Sequence, residues 1–165
     1  MKTPIYRLIV LLLVITCSFS TAFSQENADY KGQIAKINKE MKANMLSGNN
    51  DASLKFYTDD AISMPAYEPM HVGIEAIKKA NEEMAKSGWK VTAFEPTTFK
   101  ISSSGKLVTE VGTYKISFKG PGADMAMDDV GKYLTVYQVQ ADKSLKVKIE
   151  TWNSDKNPME QEKKK

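Results

Sequence analysis

The chain has 165 residues, enough for one ordinary domain, and 42% of them are hydrophobic. Its formal charge is +3, and Arg7 is its only arginine. A nearly balanced charge without arginine lacks the usual bidentate reader of phosphate and guanine, so nucleic acid is not an expected partner.

The N-terminus reads as an address label. Lys2 and Arg7 give a basic start, "LIVLLLVI" (residues 8–15) an apolar core, and "TAFSQ" puts Ala22 and Ser24 at the small positions before a cut. The pattern predicts a signal peptide over residues 1–24, a mature start at Gln25 and a secreted or periplasmic protein. The apolar run is too short to span a bilayer, so no membrane span is expected after cleavage. Cys17 offers a second route, a lipid anchor, but Thr16 stands where that signal usually carries Gly, Ala or Ser. After cleavage 141 residues remain, with a net charge of +1 and no cysteine. Such a chain must hold its core without disulfides.

The first predicted element is a helix over residues 28–47, because Ile34, Ile37, Met41 and Met45 form one apolar stripe. "SGNND" stops it. A short helix follows from Asp51 to Tyr57, with Asp51 as N-cap. "AISM" (residues 61–64) predicts a strand ended by Pro65. A third helix fits Ile74 to Ser87, with Gly88 as its stop. The apolar period then changes from 3.6 to 2. Four strands are predicted, over residues 89–102, 106–119, 129–140 and 144–153. "SSSG" and "QADKS" are hairpin turns, "GPGADMAMD" is a longer connection, and Pro96 marks a bulge in the first long strand. Helices followed by a strand meander give an α+β domain over residues 25–155, a strongly curved antiparallel sheet wrapped around the long first helix. Residues 156–165 read as a charged tail.

Chemistry concentrates in "FYTDDAISMPAYEPMHVG" (residues 56–73). Asp59 and Asp60 either serve a turn or point one carboxylate into a pocket. Met64, Tyr67 and Met70 suit a soft apolar lining. His71 is the only histidine. With no second histidine and no mature cysteine, a transition-metal site lacks ligands. No glycine-rich phosphate loop precedes a helix, so no cofactor is expected. In "KLVTEVGTYKISFKG", strand parity puts Val108, Glu110, Gly112, Tyr114, Ile116 and Phe118 on the core face. A carboxylate there is costly unless paired, solvated or protonated, which makes Glu110 a candidate acid or base. A lysine partner or a bulge turning it outward is the alternative. Tyr114 shares its face at about 13 Å. In the last strand Leu145, Val147, Ile149, Thr151 and Asn153 share one parity, and Lys146, Lys148, Glu150 and Trp152 the other. Trp152 and Asn153 are expected at the pocket end.

"FYTDDAISMP", "EPMHVGIEAIKK", "GKYLTVYQ" and "KVKIETWNSDKNP", in this order and spacing, resemble the SnoaL-like branch of the nuclear-transport-factor-2-like superfamily, in particular its small secreted bacterial members of unknown function. The resemblance runs from Ile34 to Pro158. It implies a cone-shaped, cystatin-like fold, a pocket between sheet and helices, and homodimers. Its relatives include ketosteroid isomerase, polyketide cyclases, a dehydratase and non-catalytic binding modules, so the fold does not choose the function. Where the isomerase has its aspartate base this chain has Met64. Met41 stands at the oxyanion tyrosine, and the second oxyanion acid falls near Lys132. None of the three roles is filled, and the isomerase mechanism is not expected.

Three functions stay open. The first is a domain that binds a small apolar or mixed-polarity ligand with Met41, Met45, Tyr57, Met64, Tyr67, Glu110, Tyr114, Trp152 and Asn153. The second is an acid–base enzyme of the isomerase, dehydratase or cyclase type, with Glu110, Asp60 and His71 as catalytic candidates. The third is a protein-interaction module.

Overall fold

The apolar stripe of the first helix finds its partner in the sheet. A computed structural model describes residues 29–156. The predicted signal peptide, Cys17 and all but Lys156 of the predicted tail lie outside them. Helix α1 covers residues 29–47 and buries Tyr30, Ile34 and Ile37, with Met41 packed against the same core. Gly48, at φ 73°, ends it in the left-handed region that glycine tolerates. The short second helix is a 3-10 turn, Asn50–Phe56. Asn49, not Asp51, precedes it and makes no side-chain cap bond. A bond from Asn44 Nδ2 to Ser53 Oγ (3.0 Å) ties it to α1 instead.

Strand β1 (Tyr57–Met64) starts four residues before the predicted one. Two-residue β2 (His71–Val72) was not predicted, being too short to show a period. Helix α2 (Ile74–Lys86) ends before Gly88, at φ 76°. Then come β3 (Lys90–Ser104), β4 (Leu107–Lys119), β5 (Met127–Val139) and β6 (Leu145–Ser154). The sheet order is β2-β1-β6-β5-β4-β3. Strands β3 to β6 form the antiparallel meander, but β1 joins β6 in parallel, so the sheet is mixed and not purely antiparallel. A parallel pair needs a long crossover, which α2 and the meander supply.

Helix α1 lies along the inner face of the sheet. Gln33 Nε2 donates to the Lys143 carbonyl (3.2 Å), Asn38 reaches Glu110 on β4, and Lys42 pairs with Glu95 on β3 at 2.5 Å. Tyr30, Ile34, Ile37, Ile77, Val108 and Val147 form the apolar core, where each fully buried side chain stabilises by roughly 1.5–3 kcal/mol.

Register shifts decide which side chains face that core, one of them in β1 between Tyr57 and Ile62 and three in β3 and β6. Register shifts in β3 fall between Val91 and Ala93 and between Thr98 and Lys100, not at Pro96, which pairs with Tyr114. Proline is tolerated there because β3 is an edge strand and needs no further N–H bond. The third shift makes Lys148 an extra residue in β6, opposite the step from Val136 to Tyr137.

Candidate functional site

Strand β4 alternates as its sequence predicts, with Val108, Glu110, Gly112 and Tyr114 buried on the inner face. Cross-strand register carries that face over the whole sheet. One row runs His71, Ser63, Glu150, Thr135, Glu110, Ile101, from β2 to β3. Five of its six members are polar, and Ser63, Thr135 and Glu110 are buried.

Glu110 is 0% exposed, and its carboxylate is fully occupied. Oε1 accepts from Thr98 Oγ1 (2.6 Å), Tyr133 OH (2.8 Å) and Asn38 Nδ2 (2.9 Å), and Oε2 accepts from Tyr137 OH (2.9 Å). A carboxylate has about four acceptor sites, and hydrogen bonding is what makes its burial bearable. The bulge at Phe99 helps. It sends Phe99 outward, 83% exposed, and aligns Thr98 with Gly112 on the inner face. Glu110 thus meets neither a lysine nor solvent. It is an internal anchor rather than an acid facing a ligand.

Glu150 is the second inner carboxylate, and the sequence reading missed it. Its Oε1 accepts from Ser63 Oγ (2.8 Å) and Tyr57 OH (2.9 Å), and Oε2 from the same tyrosine (3.0 Å). Burial pushes its pKa up, against the effect of these two hydroxyls. Tyr57 and Tyr137 are likewise driven well above the tyrosine range, by burial first and then by the neighbouring carboxylates. The bulge at Lys148 turns Glu150 inward by reversing the parity of β6. Trp152 then pairs with Tyr133 on the inner face, while Asn153 is exposed on the outer one.

Other expected site residues also lie elsewhere. Met64 stands beside Thr151, on the face opposite Ser63. Asp60 is exposed and pairs with Lys148, which holds its pKa low. Tyr67 is 78% exposed at φ 64° in the loop after β1. His71 is part-buried, with Nε2 3.7 Å from a Glu68 oxygen. Met41 and Met45 are half-buried on α1. Asp60, Met64 and Asn153 therefore do not share the face that holds Tyr57, Glu110, Tyr114 and Trp152.

Cover on the inner face is uneven along its length. Val108, Tyr137 and Val147 are sealed under α1. Beyond the Glu110 row, Gly112, Tyr133 and Trp152 form a row only half-buried at its two aromatics. Then come Tyr114, Gly131 and Ser154, and beyond them Ile116 and Asp129. Tyr114 OH donates to Asp129 Oδ2 (3.3 Å) and Ser154 Oγ to Oδ1 (2.7 Å). Burial, and after it Asp129, pushes the Tyr114 phenol above its ordinary range. Each tyrosine ring covers a cross-strand glycine. A Cβ on Gly112 would lie 2.4 Å from Tyr133 Cζ, and one on Gly131 would lie 2.5 Å from Tyr114 OH.

Asn38, Thr98, Asp129, Tyr133 and Tyr137 also escaped the sequence reading. The signal was present in β5, where Tyr133, Thr135 and Tyr137 put hydroxyls at three successive inner positions. Among the described residues no group of three or more His, Cys, Asp or Glu could hold a metal ion, and no helix is long and apolar enough to cross a membrane.

A curved sheet closed over a long helix, with a polar row across its inner face, defines a cone-shaped α+β domain. No family model and no curated protein matches the sequence. Solved structures match its fold. A ketosteroid isomerase-like protein from Erwinia carotovora atroseptica has a TM-score of 0.69 at 12% identity, over 82% of this chain and 100% of that one. A putative scytalone dehydratase from Novosphingobium aromaticivorans has a TM-score of 0.72 at 11% identity, over 81% and 89%. A type 2 hexachlorocyclohexane dehydrochlorinase (LinA) has 0.71 at 10%, over 81% and 90%. These likenesses show the fold, the cone-shaped α+β architecture that the sequence motifs led one to expect.

Proposed function

We propose that the chain is a small-molecule-binding domain whose site is the open half of the inner face. The observation that carries this reading is a group of half-covered side chains around the buried Tyr114. Val108, Tyr137 and Val147 are sealed, whereas Tyr133, Trp152, Ile116 and Phe118 on the same face are half-buried. Half-covered aromatic and apolar side chains, with a few fixed polar groups, are what small-ligand sites are made of. The signal-peptide pattern supports export, and the exposed Val111, Val130 and Leu134 of the outer sheet face support a homodimer through that face.

The test uses 8-anilinonaphthalene-1-sulfonate as an apolar aromatic probe. Saturable one-site binding with energy transfer from tryptophan is expected, and Trp152→Phe lowers the transfer, with Trp89 left as the second donor. Unsaturable weak binding, or transfer unchanged in that variant, overturns the reading.

Acid–base catalysis is the second reading, and the fold neighbours named as an isomerase-like protein and a putative dehydratase keep it in view. One observation favours it, the raised pKa of Glu150. Against it, Glu110 has no exposed surface, and both of its carboxylate oxygens are hydrogen-bonded.

A further inference from the structure

The polar groups of the inner face share one direction. All four of its tyrosines donate their hydroxyl proton to a carboxylate: Tyr57 to Glu150, Tyr133 and Tyr137 to Glu110, and Tyr114 to Asp129. Ser63, Thr98 and Ser154 do the same. A hydroxyl that has given its proton away offers only lone pairs.

Cations are kept off this face. By cross-strand register, Lys90, Lys100, Lys115, Lys119, Lys132 and Lys146 fall on the outer parity of β3 to β6. Lys148, at the bulge, pairs with Asp60, and Lys132 reaches Asp155 (2.5 Å). Lys42 at the edge of α1 is held by Glu95, and Lys156 donates to the Asp128 carbonyl. Asp129 is the one inner carboxylate near the open end. Its hydrogen bonds come from two neutral hydroxyls, those of Tyr114 and Ser154.

We infer that this site takes an apolar ligand ending in a protonated amine, with Asp129 as its ion-pair partner. The inference rests on the binding-domain reading above. An aromatic lining favours such a cation through the negative faces of its rings, and the half-buried setting strengthens the attraction to Asp129. An anionic end would face the Asp129 carboxylate and hydroxyls already committed as donors. The net charge of the whole chain is +3, which by itself attracts anions. A preference for amines would therefore be local.

The experiment uses three probes with one apolar body, 4-phenylbutylamine, 4-phenylbutanol and 4-phenylbutyrate, followed by calorimetry and tryptophan emission at low salt. The amine should bind at least tenfold more tightly than the carboxylate, with the alcohol between them. Asp129→Asn should bring amine and alcohol together, and Asp129→Glu should restore the order, each variant being checked by its unfolding curve. Carboxylate binding as tight as amine binding overturns the charge assignment and leaves the pocket reading standing. An amine preference that survives in Asp129→Asn removes Asp129 from the site. If none of the three probes binds, this inference and the pocket reading both fall.

Discussion

Tyr133 lies across Gly112 on the neighbouring strand, in the space where a side chain at position 112 would stand. The bare backbone lets the ring lean over β4 so that its hydroxyl reaches Glu110 at 2.8 Å. Tyr114 and Gly131 repeat the arrangement in the opposite direction. The two replacements should differ. Gly112→Ala displaces a tyrosine ring and breaks one hydrogen bond, a cost of about 2–3 kcal/mol. Gly131→Ala also drives a Cβ to 2.1 Å from the Asn153 carbonyl oxygen, and backbone cannot swing aside. It should cost more, and urea unfolding of both variants measures the order.

Glu110 is expected to matter for stability rather than for ligands. Glu110→Gln replaces one acceptor atom with a donor, facing groups that already donate. A loss of about 2 kcal/mol is expected, and Glu110→Ala should lose about 4 kcal/mol or more by stranding the buried donors. Equal stability of wild type and Glu110→Gln in denaturant would show that the carboxylate is not held as described.

Glu150 gives stability a pH dependence of the opposite sign to an ordinary ion pair. Burial raises its folded pKa above the unfolded value near 4.5. The folded state therefore favours the protonated form. Its stabilising contribution is complete below the unfolded pKa and is lost as pH rises through the folded one. Glu150→Gln should flatten this part of the stability–pH profile and be more stable than wild type at pH 7. Chemical denaturation at a series of pH values reads the change in slope.

The outer sheet face carries Val111, Val130 and Leu134, each more than a third exposed. If two copies associate there, Leu134→Lys should give the monomer mass by light scattering at micromolar concentration, while wild type gives the dimer mass. A monomeric wild type ends the proposal.

Export predicts a mature chain that begins at Gln25. Intact-mass analysis of protein recovered from outside the cytoplasm checks it, and retention of Met1 or a lipid on Cys17 gives the opposite answer.

What could be read from the sequence depended on unbroken periods. The stripe Ile34, Ile37, Met41 led to α1, and the uninterrupted β4 led to a buried Glu110. Reading failed where a bulge shifted the count. In β6 the apolar pattern steps from Val147 and Ile149 to Trp152, a step of three that strict alternation cannot produce. Taken as regular, it left Glu150 outside and brought Asn153 in. Lys148 absorbs the extra residue, and its ion pair with Asp60 accounts for a second misplaced candidate. The Phe99 bulge hid Thr98 in the same way. The partners of Glu110 lie 12 to 72 residues away in sequence, so a local pattern could place the acid but not its donors.

The parallel seam between β1 and β6 has a consequence in time. Ser63 and Glu150 are 87 positions apart, yet they are neighbours in the middle of the sheet. As the chain leaves the ribosome, β1, β2 and α2 come early, and apart from two-residue β2 no strand adjoins β1 until residues 145–154 emerge. A chain whose central seam closes last stays threadable for nearly the whole of its synthesis. Any stop before β6 yields two fragments with raw sheet edges, not a smaller version of the protein.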